Sequence, residues 1–493
     1  MNSPFGGISD ENRTMANEIN KRIEEIDSVY FIGIGGIGMS ALARFFDSKG
    51  VWVSGYDKTE TALTKELEAS GIAVHYEENL KLIPKDAKLI VYTPAVPTDH
   101  KELLFYRENG YKVVKRSDVL QMITESSFNI CIAGTHGKTT ITTMIAHLLR
   151  DSGYGCNAFL GGISVNYGTN FWPQTLTEAS ETSERNVCVV EADEYDRSFL
   201  KLSPDIAVIT AMDADHLDIY GTAEAMEQAF IDFSYKVKSG GLLVSKFGLK
   251  RTNDLKTKNH LTYSLQNREA DVYADSIKMI NGGYEFDVVM KEKRIENVEL
   301  NIGGMHNVEN AIAAITVASS LDIENEKIRS AVKSFQGVKR RFEYIIKKEN
   351  IVYIDDYAHH PEELRALITG AKGLFKGKKC TVIFQPHLYT RTRDLADGFA
   401  EVLDMADEII LLPVYPAREL PIEGVISDMI LGKMKNKNAG VKTKEELMDW
   451  IKNEYLKGKG TKVLITAGAG DIDTMVEPIK NILLQKSTAN NYV

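Results

Sequence analysis

Hydrophobic residues along the chain form short runs rich in β-branched side chains, and stretches with helical spacing separate these runs. The early runs lie at 28–34, 51–56, 88–93, 129–133, 187–190 and 206–210. Strands that alternate with helices are typical of α/β domains with mostly parallel sheets. The pattern therefore predicts an α/β fold, and the absence of a short internal repeat argues against solenoids and propellers.

Two glycine-rich strand-to-helix turns, near Gly33 and Gly134, mark the start of two separate nucleotide-binding-type sheets. We therefore place a domain boundary near residue 125. A third series of strands begins at 351–355, after the basic segment 337–343. Its further apolar runs lie at 380–384, 408–412 and 462–466. The sequence predicts three domains, over residues 1–125, 126–345 and 346–493.

Composition fits this picture. The chain has 493 residues, enough for about three domains at roughly 150 residues each. Hydrophobic residues make up 43% and charged residues 26%, which excludes disordered and collagen-like classes. The net charge of −10 makes the protein a poor candidate for nonspecific nucleic-acid binding, so we expect no nucleic-acid partner.

The cysteines and the amino-terminal region bear on the compartment. The 4 cysteines are scattered, which argues against a disulfide framework and fits a reducing cytosol. The polar, acidic start of the chain lacks the apolar core of a signal peptide. The apolar stretch 30–46 is too short and too broken by glycine to span a bilayer. We expect a cytoplasmic protein with no membrane partner.

The first glycine turn reads FIGIGGIGMS over residues 31–40. Gly33, Gly35 and Gly38 match the dinucleotide-binding fingerprint G-x-G-x-x-G, and Asp57 follows about 20 residues later, where a ribose-binding acid is placed. Glycines allow the backbone to approach a phosphate closely. Taken alone, this turn favours an NAD-dependent dehydrogenase, although such turns bind many phosphorylated ligands.

The second glycine turn reads AGTHGKTT over residues 133–140. Lys138 and Thr139 match the end of a P-loop, in which the lysine contacts phosphates and the hydroxyl binds Mg²⁺. The first glycine of the standard pattern is replaced by Ile132, so this is a variant loop. A strand precedes it and a helix follows it, which supports ATP binding.

Two acidic segments follow strands of the same region: EADEYD at 191–196 and DADHLD at 213–218. The carboxyl ends of parallel strands form the ligand-binding edge of an open sheet. Glu191 and His216 are therefore candidate ligands of a divalent cation beside the phosphate loop. Asp215 and Asp218, taken singly, have an alternative interpretation as solvated acidic residues at a helix N-terminus, where the helix dipole stabilises them.

Three later segments also carry polar groups just past turns or strands. Residues 303–311 read GGMHNVENA and supply Asn and His side chains that can bind a base or ribose. Residues 355–361 read DDYAHHP, whose spacing fits no standard zinc signature. Residues 384–393 read FQPHLYTRTR, where Arg391 and Arg393 suit carboxylate or phosphate capture, unless one of them pairs with a surface acid.

Together these motifs, with GVKRRFE at 337–343, resemble those of the Mur ligase family, in family order from about residue 29 to about residue 470. The resemblance implies a Rossmann-like UDP-substrate domain, a central P-loop-type ATPase domain, and a carboxy-terminal Rossmann-like domain that closes on amino acid and ATP. It also implies that the first glycine turn holds the pyrophosphate of a UDP-sugar, not NAD.

Within the family, the motifs are most similar to those of the alanine-adding branch. The implied activity is ATP-dependent ligation of L-alanine to the lactyl carboxylate of UDP-N-acetylmuramate through an acyl phosphate, a step of peptidoglycan precursor synthesis. The implied cofactors are ATP and two Mg²⁺ ions, and the protein would be a monomer or a homodimer.

Three alternatives remain open. A murein tripeptide ligase of cell-wall recycling would share the first two domains, whereas FQPHLYTRTRD is the alanine-adding form. A dehydrogenase with an accessory ATPase domain would leave residues 134–140, Glu191 and His216 without a role. The argument against a catalytically silent regulator is the intact set Lys138, Thr139, Glu191 and His216.

The resemblance assigns roles to individual residues. The assigned ATP contacts are Gly134, Thr135, His136, Gly137, Lys138, Thr139, Thr140, His306, Asn307, Asn310, Arg341, Asp356 and Tyr357. The assigned UDP-sugar contacts are Gly33, Gly35, Gly36, Gly38, Met39, Ser40, Asp57, Thr93, Ala95 and Arg116. The assigned metal ligands are Thr139, Glu191 and His216, and the assigned catalytic residues are Lys138, His359, His387 and Arg391.

The chain departs from the family pattern at three places. Leu388 stands where an arginine often follows the FQPH histidine, which removes one cationic contact or transfers it to another residue. Ala211 replaces an asparagine before the second acidic segment, and 93–95 replaces a Ser-Ser-Ala segment. None of these positions lies in the phosphate loop or the metal pair, so we expect an active enzyme.

Overall fold

The computed structural model describes residue 23 and the ranges 25–174, 186–213, 217–417, 419–458 and 460–489. The predicted metal ligand His216 therefore lies outside the described residues. The described residues form three β-sheets with helices between their strands. The α/β fold with mostly parallel sheets is confirmed.

The strands are β1 (Ser28–Ile32), β2 (Trp52–Tyr56), β3 (Ala73–His75), β4 (Leu89–Tyr92), β5 (Val113–Lys115), β6 (Phe128–Ala133), β7 (Asn157–Phe159), β8 (Phe171–Trp172), β9 (Val187–Glu191), β10 (Ile206–Ile209), β11 (Leu242–Lys246), β12 (Asn259–Ser264), β13 (Val272–Ile280), β14 (Gly283–Met290), β15 (Lys293–Leu300), β16 (Glu343–Lys347), β17 (Ile351–Asp356), β18 (Lys379–Phe384), β19 (Glu408–Leu411), β20 (Ala439–Val441) and β21 (Lys462–Ala467).

The α-helices are α1 (Ile37–Ser48), α2 (Ala62–Ala69), α3 (Lys101–Glu108), α4 (Arg116–Glu125), α5 (Lys138–Asp151), α6 (Leu217–Tyr220), α7 (Ala223–Ser234), α8 (Met305–Ser320), α9 (Asn325–Ser334), α10 (Pro361–Leu374), α11 (Tyr389–Leu403), α12 (Asp428–Leu431), α13 (Lys444–Asn453) and α14 (Val476–Ala489). Short 3₁₀ turns lie at Ser198–Lys201, Thr252–Asp254, Tyr455–Lys457 and Asp471–Met475. Among the described helices, none has both the length and the apolar character that a bilayer crossing requires.

The first sheet has the order β3-β2-β1-β4-β5, and all its pairs are parallel. The chain reverses direction across the sheet between β1 and β4, and open α/β sheets bind ligands at such a switch point. The first glycine turn follows β1 directly, so it lies at this position.

The second sheet has ten strands in the order β15-β14-β13-β12-β11-β10-β6-β9-β7-β8. The interior strand β6 pairs in parallel with β10 on one side and with β9 on the other. All six residues of β6 are buried, which explains its unbroken run of mostly apolar residues. The turn after β6, the acidic residues after β9 and the residues after β10 therefore meet at one edge.

The third sheet has the order β16-β17-β21-β18-β19-β20, and only its edge strand β16 is antiparallel among the pairs described. Strand β21 lies between β17 and β18, so the segments that follow these two strands share one edge. The runs predicted at 351–355, 380–384, 408–412 and 462–466 are all strands here. Strands β13–β15 were not predicted, because they are partly exposed and carry polar residues throughout.

The chain divides into two compact units. The first unit comprises Met1–Ser276, Phe286–Val298 and Glu309–Phe335, and the second comprises Ile277–Glu285, Glu299–Val308 and Gln336–Val493. The boundaries near residues 125 and 345 stay predictions.

Candidate active site

The first glycine turn is built by close backbone contacts. The N–H groups of Gly33 and Ile34 donate to the carbonyl of Tyr56 at 2.8 and 3.0 Å, and Gly33 has a φ of +87°. The N–H of Gly35 donates to Oδ2 of Asp57 at 2.8 Å. A Cβ at Gly35 would lie 2.8 Å from that same oxygen. Asp57 therefore shapes the turn, whatever else it binds.

Helix α1 begins directly after this turn and has no acidic residue in its first turn. The positive end of its dipole is therefore not neutralised by a side chain of its own first turn, and it favours the binding of an anionic ligand. The Arg116 guanidinium lies against Gly38, because a Cβ on that glycine would be 2.6 Å from Arg116 Nη1. Arg116 Nη2 lies 3.7 Å from Asp193 Oδ2. The glycine turn, the helix N-terminus and this arginine together suit a pyrophosphate. Thr93 lies against Gly33, and Ala95 is exposed on the loop that follows.

Two predicted sugar-nucleotide contacts are buried. Met39 is 2% exposed and Ser40 is 0% exposed. The Ser40 hydroxyl accepts a 2.8 Å hydrogen bond from Asn170, which also donates to the Ile37 carbonyl at 2.6 Å, and Ser40 N–H donates to Gly36 O. Ser40 therefore supports the start of α1, and Asn170 ties this helix to the second sheet.

The second glycine turn can only be made with glycine at two positions. Gly134 has a φ of +130°, and a Cβ there would lie 2.1 Å from Thr210 Oγ1. Gly137 is the N-cap of α5 and has a φ of +81°. A Cβ on Gly137 would lie 2.9 Å from Asn310 Oδ1. The Thr210 hydroxyl donates to the carbonyls of Ala133 and His136, so the residue after β10 fastens the loop.

Lys138 is the first residue of α5 and is held by two acceptors. Its Nζ donates at 2.7 Å to the Gly134 carbonyl and at 2.7 Å to Glu194 Oε1. The lysine side chain is 14% exposed and the glutamate side chain 1% exposed. Burial raises the pKa of the Glu194 carboxyl above its ordinary value, and Lys138 opposes this shift.

Thr139 and Glu191 form a pair of oxygen donors beside this lysine. The Thr139 hydroxyl donates to Glu191 Oε1 at 3.0 Å, and the Gly161 N–H donates to Glu191 Oε2 at 3.1 Å. Any Cβ at Gly161 would overlap the carboxylate, at 2.1 Å from Oε2. Hydroxyl and carboxylate oxygens are the donors that Mg²⁺ prefers. Within the described ranges, no group of three or more His, Cys, Asp or Glu side chains is arranged to hold a metal ion.

The residues of α8 differ in their surroundings. His306 is exposed, and its ring covers Gly304, where a Cβ would lie 2.5 Å from it. Asn307 is buried and its side chain donates to the Gly303 carbonyl at 2.7 Å. Asn310, in the first unit, is the one that lies against Gly137 of the phosphate loop.

In the second unit, Asp356 joins two backbone segments. Its two carboxylate oxygens accept hydrogen bonds from the N–H groups of Phe342 and Ala358, at 2.6 and 2.7 Å. Burial raises the pKa of Asp356 to about 6. The Arg341 guanidinium is exposed and lies 5.7 Å from the centre of the Tyr357 ring. The predicted ATP contacts Arg341, Asp356 and Tyr357 therefore lie close together.

Four side chains form a second group at the same edge of the third sheet. The rings of His359 and His387 are 6.3 Å apart, and Arg391 Nη1 lies 3.3 Å from His387 Nδ1. Tyr415, which the sequence did not single out, stacks on His387 at 5.9 Å with an interplanar angle of 15°. Burial lowers the pKa of His359. Arg393 is exposed and pairs with Asp394 at 2.7 Å, which is the surface role considered for one of the two arginines.

Family models cover most of the chain in three consecutive matches. Residues 28–127 match the Mur ligase family catalytic domain, residues 132–318 the Mur ligase middle domain, and residues 340–470 the Mur ligase glutamate ligase domain. The chain belongs to the Mur ligase family. The resemblance stated from the motifs is confirmed.

Curated relatives of this Mur ligase resemble it along nearly their whole length. A protein of Cytophaga hutchinsonii named UDP-N-acetylmuramate–L-alanine ligase is 46% identical over 94% of this chain and 98% of its own. A protein of Parabacteroides distasonis with the same name is 47% identical over 94% of this chain and 99% of its own.

Solved structures resemble this Mur ligase as well. The UDP-N-acetylmuramate–alanine ligase of Thermotoga maritima superposes with a TM-score of 0.76 at 28% identity, covering 94% of this chain and 99% of its own. A murein peptide ligase of Psychrobacter arcticus gives a TM-score of 0.63 at 21% identity, over 92% of this chain and 98% of its own, which shows a shared fold.

Proposed function

We propose that this Mur ligase uses ATP to join L-alanine to the lactyl carboxylate of UDP-N-acetylmuramate. The observation that carries the proposal is the placement of Lys138, Thr139 and Glu191 at one sheet edge, beside the phosphate-type glycine turn that precedes α5. The names of relatives 46–47% identical to the chain support the choice of substrates.

The chemistry explains why an ATP site is needed. A carboxylate is a poor electrophile because its charge repels a nucleophile and it has no good leaving group. Transfer of the γ-phosphoryl group from ATP to a carboxylate oxygen gives an acyl phosphate and ADP. The alanine amine then attacks the acyl carbon, the amide bond forms, phosphate leaves, and the amine loses a proton. Positioning and charge neutralisation supply most of the catalysis.

In the first unit, the glycine turn before α1 and Arg116 bind the pyrophosphate of the UDP-sugar. The N-terminus of α5 and the Lys138 ammonium bind the ATP phosphates. An ammonium is a compact charge that neutralises phosphate oxygens as charge moves between them. Asn310 lies over the phosphate loop and bounds the nucleotide on that side.

The oxygen donors present fit a magnesium ion. Thr139 and Glu191 are the described residues that would hold it, and His216 is the remaining predicted ligand. Bound Mg²⁺ supplies charge neutralisation at the phosphates, and its remaining coordination positions are usually filled by water and phosphate oxygens. Two Mg²⁺ ions are expected, and we assign no ligands to the second one among the described residues.

In the second unit, Arg341 and Tyr357 contact the nucleotide, while Asp356 holds the backbone on which they sit. His387 and Arg391 bind the carboxylate of the incoming alanine, with Tyr415 holding the His387 ring. His359, whose pKa burial lowers, is neutral near pH 7 and can accept a proton from the alanine ammonium.

The test is phosphate release from ATP in the presence of Mg²⁺ and UDP-N-acetylmuramate, with L-alanine, glycine, L-serine or the murein tripeptide as acceptor. We expect release that requires the UDP-sugar and is fastest with L-alanine. Release that requires the tripeptide would assign the protein to recycling instead. No release with any acceptor would overturn the ligase proposal.

A further inference from the structure

Glu194 is a buried carboxylate to which the motifs assign no role. It lies three residues after Glu191, and its side chain is 1% exposed. Its backbone is fixed by the Tyr220 hydroxyl, which donates to the Glu194 carbonyl at 2.6 Å. Such a carboxylate is costly to bury without a partner, and the partner here is the Lys138 ammonium at 2.7 Å.

Glu194 is one of two acceptors that orient the Lys138 ammonium. An ammonium has three N–H donors. Two of them are directed to the Gly134 carbonyl and to Glu194 Oε1, both at 2.7 Å. Gly134 lies between Ala133 and Thr135, whose backbone groups are hydrogen-bonded, and the Glu194 carbonyl accepts from Tyr220. The two acceptors therefore fix the position and rotation of Nζ. The third N–H is then aimed by the other two.

We propose that Glu194 is a positioning residue that holds the Lys138 ammonium at the phosphate loop and balances its charge before ATP binds. The inference rests on the proposed function, because it takes Lys138 as the residue that binds the phosphates. Glu194 itself touches neither ATP nor substrate. It acts through Lys138, by presenting one N–H of an already oriented ammonium to the nucleotide.

This role has a consequence for ATP binding as well as for stability. Removal of Lys138 alone leaves an unpaired buried carboxylate beside the place where the ATP phosphates bind. That carboxylate repels the phosphates and destabilises the fold. Neutralising Glu194 in the same protein removes both effects. The substitution Glu194→Gln is therefore harmful when Lys138 is present and beneficial when Lys138 is absent.

The experiment compares the full-length wild type with Glu194→Gln, Lys138→Ala and the double variant. Glutamine keeps the shape and one acceptor oxygen and loses the charge. Asp196→Asn is the matched control, because it removes one negative charge from an exposed position of the same segment and keeps the acceptor of the Ser198 N–H. For each protein we would measure kcat, the Kd of ATP and of UDP-N-acetylmuramate by calorimetry, and the melting temperature.

We expect Glu194→Gln to lower kcat about tenfold or more, because small errors in the position of a charged group are costly in phosphoryl transfer. We expect the double variant to bind ATP at least about threefold more tightly than Lys138→Ala and to melt at a higher temperature. The Kd of the UDP-sugar stays within about twofold in all variants, and Asp196→Asn behaves as wild type.

The inference is overturned if Glu194→Gln leaves kcat within about twofold of wild type, or if it weakens ATP binding in the Lys138→Ala background. Failure of the proposed function gives a different result. In that case the wild type itself releases no phosphate with any acceptor, or Lys138→Ala retains wild-type ATP binding and turnover. If Lys138→Ala loses turnover and ATP binding while Glu194→Gln keeps the wild-type kcat, only the role of Glu194 is overturned.

Discussion

The Thr139 hydroxyl lies 3.0 Å from Glu191 Oε1, although the two residues are 52 positions apart in the chain. The contact exists because β6 and β9 are adjacent parallel strands, with Ile132 paired to Glu191. Thr139, the second residue of α5, and Glu191, the last residue of β9, are thus brought together. Two oxygen atoms of the kind that bind Mg²⁺ therefore lie side by side at the phosphate loop.

We predict that Glu191→Gln lowers kcat about 100-fold and raises the Mg²⁺ concentration needed for half-maximal activity about tenfold, because one charged oxygen donor is lost. A Mg²⁺ titration of phosphate release measures both. Glu108→Gln, at an exposed position at the end of α3, is the control and leaves the titration unchanged. An unchanged titration in Glu191→Gln would count against its role as a ligand. The same titration of His216→Ala tests the predicted ligand outside the described residues.

We predict that Gly134→Ala abolishes ATP binding and lowers the free energy of unfolding by about 3 kcal/mol or more, because the new Cβ overlaps Thr210 Oγ1 and crowds the Ala211 N–H. The matched control is Gly153→Ala. Its φ is also positive, at +82°, but a Cβ there meets no described atom within 4 Å, so we expect a cost of about 1 kcal/mol. Urea unfolding and calorimetric ATP titration check both variants, and equal effects at the two glycines would contradict the crowding argument.

We predict that Arg391→Ala raises the KM for L-alanine about tenfold or more, since charge-assisted hydrogen bonds to a carboxylate are worth roughly 1.5–3 kcal/mol. Arg393→Ala is the control two residues along α11. Arg393 is paired with Asp394 at the surface, so its loss leaves that KM within about twofold. Initial rates at varied L-alanine concentration give the KM of each variant. Similar KM values for Arg391→Ala and Arg393→Ala would contradict a role of Arg391 in binding alanine.

Asp355 predicts a pH dependence of stability. Its carboxylate accepts a hydrogen bond from Thr466 at 2.6 Å and lies 3.4 Å from Arg340. Burial raises the pKa of Asp355 to about 7, against the opposing effect of Arg340. The folded state therefore holds this proton to a higher pH than the unfolded state. The resulting stabilisation is complete below about pH 4 and is lost as the pH rises through about 7.

Asparagine at position 355 stays neutral at every pH, so Asp355→Asn does not lose stability as the pH rises through about 7. Between pH 5 and pH 8 we expect the stability of the variant to improve relative to wild type, by an amount on the order of a few kcal/mol. Urea unfolding at the two pH values measures the difference. Asp86→Asn, at an exposed position, is the control with a wild-type slope. Parallel pH profiles for Asp355→Asn and wild type would contradict the assignment.

The motifs predicted most of the candidate site because chemistry-bearing residues follow strands directly. The glycine turns after β1 and β6 are local features, and their residues are read from the sequence without knowledge of pairing. The site residues that were missed are tied to the site by long-range contacts. Glu194 is paired with Lys138 from 56 positions away, and Asn170 is bonded to Ser40 from 130 positions away. Tyr415 stacks on His387 from another strand end.

The sequence by itself determined the alternation of strands and helices outside β13–β15, the two glycine turns and the polar segments after the strands, because periodicity, turn chemistry and capping act over a few residues. Only the tertiary structure decided which of these segments meet. Strand β6 lies between β9 and β10, and the late strand β21 lies between β17 and β18. Pairing of parallel strands is nonlocal and depends on the burial of whole sheet faces, so no short stretch of sequence encodes it.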